Sequence, residues 1–193
     1  VSPDGSDENS GASFATAFSS LQKAVNSAVA GDVVYVKTGV YGTVSTSNKD
    51  IQILAANGAS PVIDGQNTSR CVYVGNGSSE TNTPFRGFVI RNGYASGSYG
   101  GGASGGTFEN CKFEQCRADT YGGGAYYANL FNCRLTGNTA ANGGGAYGGT
   151  LRSCQADENT AEAGGGTHSA NLYNCTVTRN TGTACGGVYG GYV

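Results

Sequence analysis

The residues able to ligate a metal, attack a carbonyl or move a proton in this 193-residue chain are few: seven cysteines, one histidine and thirteen carboxylates. Four of the cysteines, Cys111, Cys133, Cys154 and Cys175, recur at spacings of 22, 21 and 21 residues. Zinc sites need close pairs such as C-x-x-C, and this spacing supplies none, so no metal and no cofactor is assigned. Cys116 and Cys185 fall at bend positions, where greater reactivity is expected; Cys71 has no place in any column. His168 follows Ser104, Tyr126 and Tyr147 and precedes Tyr189 in one column, with no serine or cysteine nucleophile arranged around it. Asp64 adjoins Gly65 in what reads as a turn. Asp4, Asp7 and Glu8 read as a solvated acidic tail rather than a calcium site. Catalysis by two carboxylates needs an acidic pair across a cleft. Glu114, Thr136 and Asp157 form no acidic ladder, and Lys112, Arg134 and Arg152 are expected not to share a column. No catalytic residue is assigned.

The elements that position these residues follow from a repeat. Glycine makes up 34 of the 193 residues, well above its usual share of about 7%. Triplets stand at Gly100–Gly102, Gly122–Gly124, Gly143–Gly145 and Gly164–Gly166, with a remnant at Gly186-Gly187. Other columns keep step: Ala103, Ala125, Ala146, Thr167 and Val188; Phe108, Leu130, Leu151 and Leu172; Phe113, Leu135, Ala156 and Val177; Ala118, Ala140 and Ala161. Collagen needs glycine at every third residue, and a disordered chain lacks apolar periodicity; neither description fits.

Helical repeats run longer, at 33 residues or more. About 21 residues suit one coil of three short strands and three bends, and alternations such as Cys133-Arg134-Leu135 have strand period. The fold class is therefore all-β: a right-handed parallel β-helix, or solenoid, of about 21 residues per coil. Each residue stacks on its equivalent about 4.8 Å away, and neighbouring coils share one core. Residues 1–193 form a single domain, with a cap region over 1–31, irregular coils over 32–98 and regular repeats over 99–193. Phe85, Phe88 and Ile90 take the places of Phe108, Cys111 and Phe113 in an earlier coil. Strands are expected at Val33–Val36, Ile51–Leu54, Val62–Ile63 and Val72–Val74, with a loop bulging over Gly75–Thr83. Phe14, Phe18, Leu21, Val25 and Val29, spaced by three and four, predict an amphipathic helix ending near Gly31 and covering the first coil. At the other end Val193 falls in the Leu172 column and leaves the last coil incomplete. The expectation is a chain that continues, or an end-to-end contact with another subunit.

The columns carry structural roles first. Cys111, Cys133, Cys154 and Cys175 read as a ladder of buried thiols; disulfides between rungs are the rival reading. Asn110, Asn132 and Asn174, with Ser153, form one bend column. Asn138, Asn159 and Asn180, with Cys116, form another, whose amides can bond from coil to coil. Tyr126, Tyr147, His168 and Tyr189 point outward by alternation. They form an aromatic ladder that either braces the sheet or meets a carbohydrate or protein partner.

The net charge is −2 and no basic stripe appears, so no nucleic-acid partner is expected. No apolar run reaches membrane-spanning length, so no membrane insertion of this segment is expected. The chain opens on Val1 rather than Met and no signal peptide is read in it; the expectation is a processed chain or a piece cut from a longer one.

Ala30-Gly31-Asp32-Val33-Val34-Tyr35-Val36 followed by Gly39-Val40-Tyr41, with Val62-Ile63-Asp64-Gly65 and Gly87-Phe88-Val89-Ile90-Arg91-Asn92-Gly93, resembles the opening of bacterial β-helix proteins of the pectin-lyase-like superfamily. The Gly-Gly-Ala elements at 101–103, 123–125 and 144–146 are similar to polymorphic outer-membrane protein repeats. The Phe-x-x-Asn partner element is only approximate: Phe113 lacks its Asn, and Leu135, Ala156 and Val177 lack the Phe. The resemblance implies an extracellular or bacterial cell-surface setting. Two functions follow: a structural or adhesive module that self-associates, or a carbohydrate-binding or carbohydrate-active protein with a polysaccharide or host-surface ligand.

Overall fold

A computed structural model describes residues 1–46, 49–74 and 83–193. Among them are three parallel sheets of seven strands each, one strand per sheet per coil. The first sheet runs from Val33–Val36 to Asn171–Tyr173, the second from Gly39–Tyr41 to Thr176–Thr178, and the third from Val44–Ser45 to Val188–Tyr189. Shorter pairings, such as Tyr94–Ala95 with Arg117–Ala118, lie between the second and third sheets. The parallel β-helix is thus observed, and the early strands fall within a residue or two of the expected ones. The expected loop at Gly75–Thr83 lies outside the described residues, except for Thr83.

Register follows the sequence columns. Phe85 pairs with Phe108, which pairs with Leu130, and that with Leu151 and Leu172 in turn. Phe113, Leu135, Ala156 and Val177 align likewise. The core is aromatic in the middle coils, where Phe85 and Phe108 stack at 5.2 Å, and aliphatic beyond them. Each fully buried Phe or Leu adds roughly 1.5–3 kcal/mol. Ala118 and Ala140 are buried but join Ala95 in a separate small cluster rather than the main core.

The two asparagine columns do different work. Between the first and second sheets, Asn110, Asn132, Ser153 and Asn174 hold φ of 50–53° and are exposed, the left-handed conformation that Asn tolerates. Between the second and third sheets, the left-handed residues are Gln115, Gly137, Glu158 and Arg179. Asn138, Asn159 and Asn180 come one residue later, with Asn138 and Asn159 fully buried. There Asn159 Oδ1 accepts from the Asn138 N–H and from Asn138 Nδ2, both at 2.9 Å, while Asn159 Nδ2 donates to Leu135 O at 2.9 Å and Asn180 Oδ1 at 3.0 Å. Only this column is an interior amide ladder.

The glycine triplets turn the corner into the third sheet. A Cβ on Gly144 would lie 2.6 Å from the Gly165 carbonyl oxygen of the next coil, so no larger residue fits between these closely stacked backbones.

The cap is shorter in helix than the spacing predicts. The α-helix covers only Leu21–Ser27 and buries Leu21, Ala24 and Val25. Phe14 lies in a 3₁₀ turn and, like Val29, is exposed. Asp7 explains the change. It is not a solvated tail residue: its Oδ1 accepts from the Ser19 and Ser20 N–H groups, each at 2.9 Å, and its Oδ2 from Ser20 Oγ at 2.6 Å. These bonds, led by Ser20, hold the Asp7 carboxyl down to about 2. They turn the chain just ahead of the helix, whose N-cap is Ser20. Val1 lies along the first strand, its amino group on Tyr35 O at 2.6 Å and its carbonyl accepting from Lys37 N. At the other end Leu172 N donates to Tyr192 O at 2.7 Å, which sets Val193 opposite Leu172.

Asn159→Ala is expected to cost about 3 kcal/mol, because it strands several buried donors and acceptors at about 1–3 kcal/mol each. Asn174→Gly, at an exposed left-handed position, is expected to stay within about 0.5 kcal/mol. Guanidinium denaturation of the two variants checks the contrast; equal costs would show that the inner ladder has no special weight.

Candidate functional site

Four successive coils build a groove along the bend between the first and second sheets. Each contributes a left-handed residue, an inward cysteine and an outward residue: Asn110-Cys111-Lys112, Asn132-Cys133-Arg134, Ser153-Cys154-Gln155, and Asn174 and Thr176 around Cys175. The groove has a volume of about 630 Å³ and is lined by these residues. On its first-sheet side each left-handed residue is preceded by a member of the outward column Glu109, Phe131, Arg152 and Tyr173.

Lys112 pairs in register with Arg134, and Arg152 pairs with Phe131 instead, so the three cations do not share one column, as expected. The register counts along strands, so Lys112 and Arg134 both land on the outward position of the second sheet. Arg152 lies in the first-sheet column. Arg134 is braced: its Nε donates to Thr136 Oγ1 at 3.1 Å, and its guanidinium lies 3.5 Å from Asp157. Asp157 is fully buried, and also holds Arg179 and accepts from Thr178 Oγ1 at 3.2 Å. Glu109 is tied to Arg86 at 2.8 Å, and the Arg152 guanidinium lies over the Tyr173 ring at 4.1 Å. Asn132 Nδ2 donates to Asn110 Oδ1 at 2.6 Å across the groove's spine.

The floor is the thiol ladder. All seven cysteines are free. Each ladder sulfur reaches a carbonyl of the preceding coil: Cys111 to Phe85 O, Cys133 to Phe108 O, Cys154 to Leu130 O and Cys175 to Leu151 O, at 3.3–3.4 Å. The Cys111 sulfur first, and then burial, push the Cys133 thiol up to about 12; burial also raises Cys175. Cys116 is fully buried and caps the amide ladder by donating its N–H to Asn138 Oδ1 at 2.9 Å, so its bend position does not make it accessible. Cys185 is half-buried. Cys71, which no column predicts, lies with its sulfur 2.9 Å from where a Gly93 Cβ would be, and donates to Arg91 O at 3.1 Å. It fills the space that glycine leaves in the rung before Cys116.

Asp64 sits in an ion pair with Arg91 at 2.8 Å and accepts from Gln66 N and Asn92 Nδ2. Burial raises its carboxyl, but Gln66, Arg91 and Asn92 outweigh that and hold it below the usual carboxylate range. This is a turn brace.

On the third sheet Tyr126 and Tyr147 stack at 5.8 Å, Tyr147 and His168 at 4.9 Å, and His168 and Tyr189 at 4.8 Å, with interplanar angles of 15–28°. Ser104, the first member of the column, is buried; Tyr99 instead stacks on Tyr126 at 4.2 Å. Rings stacked this way occupy each other's faces and turn their edges to solvent. Burial lowers the His168 imidazole below its ordinary value, and its Nδ1 meets Ser169 Oγ at 2.8 Å. The imidazole is therefore mostly uncharged at pH 7.

No protein-family model matches the chain, and no curated protein matches it. Among solved structures the chain is similar to the pectate lyase Pel9A, with a TM-score of 0.65 and 20% identity over 93% of this chain and 53% of that one. It is also similar to a rhamnogalacturonan lyase, with a TM-score of 0.45 and 18% identity over 99% of this chain and 61% of that one. The chain thus spans about half the length of Pel9A. The likeness to Pel9A shows the fold, a parallel β-helix. The similarity to polymorphic outer-membrane protein repeats gains nothing from these comparisons.

A thiol reagent is expected to leave Cys111, Cys133 and Cys154 unmodified in the native protein while it reaches half-buried Cys175 and Cys185, and to label all seven cysteines after denaturation. Mass spectrometry checks this; a disulfide between any two rungs would contradict it.

Proposed function

We propose that this chain binds a linear anionic polysaccharide laid along the groove between its first and second sheets. The observation that carries the reading is the in-register pair Lys112 and Arg134 beside an exposed spine of amides and a hydroxyl, Asn110, Asn132, Ser153 and Asn174. Cations one coil apart repeat at about 4.8 Å, a spacing comparable to the advance of one sugar in an extended chain. Arg152 adds a third positive group on the far side. Ordered Asn side chains supply donors and acceptors for sugar hydroxyls. Pel9A, a pectate lyase of the same fold, makes a polysaccharide the natural class of ligand to test. An extracellular setting goes with such a polymer.

The reading is binding rather than cleavage. Among the described groove residues, Glu109 is occupied by Arg86, and Asp157, beneath Arg134, is buried against two guanidinium groups. Neither is placed to act as a free acid or base across a cleft. An adhesive or fibre-forming role has no comparable observation in its favour.

Affinity electrophoresis through polygalacturonate tests the proposal. The native protein is expected to be retarded, less so as salt rises, and not to be retarded by dextran. The Lys112→Gln/Arg134→Gln double variant is expected to bind about tenfold more weakly, which corresponds to about 1.4 kcal/mol. Equal retardation by dextran, or unchanged affinity of the double variant, would contradict the proposal.

A further inference from the structure

Tyr127 is a bulky residue at a left-handed position that the other coils fill with glycine or serine. The equivalent positions are Gly105, Gly148, Ser169 and Gly190, all with positive φ; Tyr127 has φ 44°. A bulky side chain in the left-handed region is strained, and such strain is held where the surrounding structure, often at a functional site, enforces it. The ring leans along the helix axis over the next coil, and a Cβ on Gly148 would lie 2.9 Å from its Cε1. Glycine at 148 leaves the space the ring needs.

The ring crosses the tyrosine stack instead of joining it. Tyr127 meets Tyr126 at 4.8 Å and 75°, and Tyr147 at 5.9 Å and 60°. Across the same two rungs Tyr121 tilts against Tyr147 at 4.6 Å and 47°. Tyr127 is 44% exposed and Tyr121 39%. Tyr121 precedes the strand Ala125–Tyr126 and Tyr127 follows it, so the two outer tyrosines flank the stacked Tyr126 and Tyr147. Burial, and then the neighbouring phenols, raise the hydroxyls of Tyr126 and Tyr147 above their ordinary values, so the stacked pair carries no charge at neutral pH.

We propose that this cradle of Tyr121, Tyr126, Tyr127 and Tyr147 is a subsite for one uncharged sugar ring, separate from the anionic groove. Tyr127 stands crosswise to the stack, so its solvent-facing side offers what the stacked rings lack: an aromatic face onto which the C–H side of a pyranose can pack. The phenolic edges of the stacked pair offer donors and acceptors to its hydroxyls. Their neutrality selects against a charged ring, which would lose solvation without gaining an ionic partner.

The chain contains twelve tyrosines and no tryptophan, so intrinsic fluorescence reports on tyrosine alone. Titration with neutral β-1,4-linked gluco-, manno- and galacto-oligosaccharides is expected to change it saturably for at least one of them, with the matching acidic oligosaccharides weaker. Tyr127→Phe is expected to keep the affinity within about threefold, and Tyr127→Gly to lose at least about tenfold. Because Tyr127→Gly also relieves the left-handed strain, its Tm is expected to equal or exceed that of the native protein. Lys112→Gln/Arg134→Gln is expected to leave neutral-sugar binding intact, so this proposal and the groove proposal fail separately. No saturable response to any neutral oligosaccharide would overturn the cradle. So would a Tyr127→Gly variant that binds normally, or one that loses stability along with binding, which would make Tyr127 a packing residue.

Discussion

Everything in this molecule depends on the coil-to-coil register of its backbone. Parallel strands bond along the axis, so each coil must return to the same place after the same number of residues. A one-residue error would turn every inward side chain outward. The glycine triplets protect this return at its tightest corner, where a Cβ on Gly144 would press on the Gly165 carbonyl oxygen. Given that constraint, any residue type repeated at the period becomes a line parallel to the axis. Core, ladders and groove are all such lines.

The bends show how one problem receives two solutions. A side chain turned inward at a bend meets backbone groups of the preceding coil. Between the second and third sheets an asparagine amide satisfies them, as Asn138 does by donating to Phe113 O. Between the first and second sheets a cysteine does it with a thiol, as Cys133 does on Phe108 O. Thiols are small and weakly polar, and they suit a wall whose outer side is solvent-lined. The result is a floor of small thiols beneath a surface that carries Lys112, Arg134 and four small polar residues.

Much of the fold was legible in the sequence because repetition states the period, and the period states the coil. The strands from Thr107 onward fall where the columns put them. Conformation within a column was less legible. Asn110 and Asn138 look alike in sequence, yet one is an exposed left-handed residue and the other a buried rung. What separates them is the residue before each: Gly137 and its equivalents take the left-handed turn, freeing Asn138 to point inward. The helix over-reach at Phe14 has its cause in Asp7, whose bonds to Ser19 and Ser20 are long-range and leave no periodic signal. Cys71 fills a gap left by Gly93, a pairing visible only in three dimensions. For the site, the tyrosine column could be read from spacing, but that its rings face each other could not. The groove leaves little periodic signal, because the column that starts with Lys112 and Arg134 continues with uncharged Gln155 and Thr176.

On the proposed reading, register converts repeated residues into a continuous axial surface for the polysaccharide. Amide hydrogen exchange, with and without polygalacturonate, tests it most directly. Slowed exchange is expected together at residues 110–112, 132–134, 153–155 and 174–176, with the third-sheet strands Ala125–Tyr126 and Ala146–Tyr147 unchanged. Protection confined to a single coil, or centred on the third sheet, would contradict it.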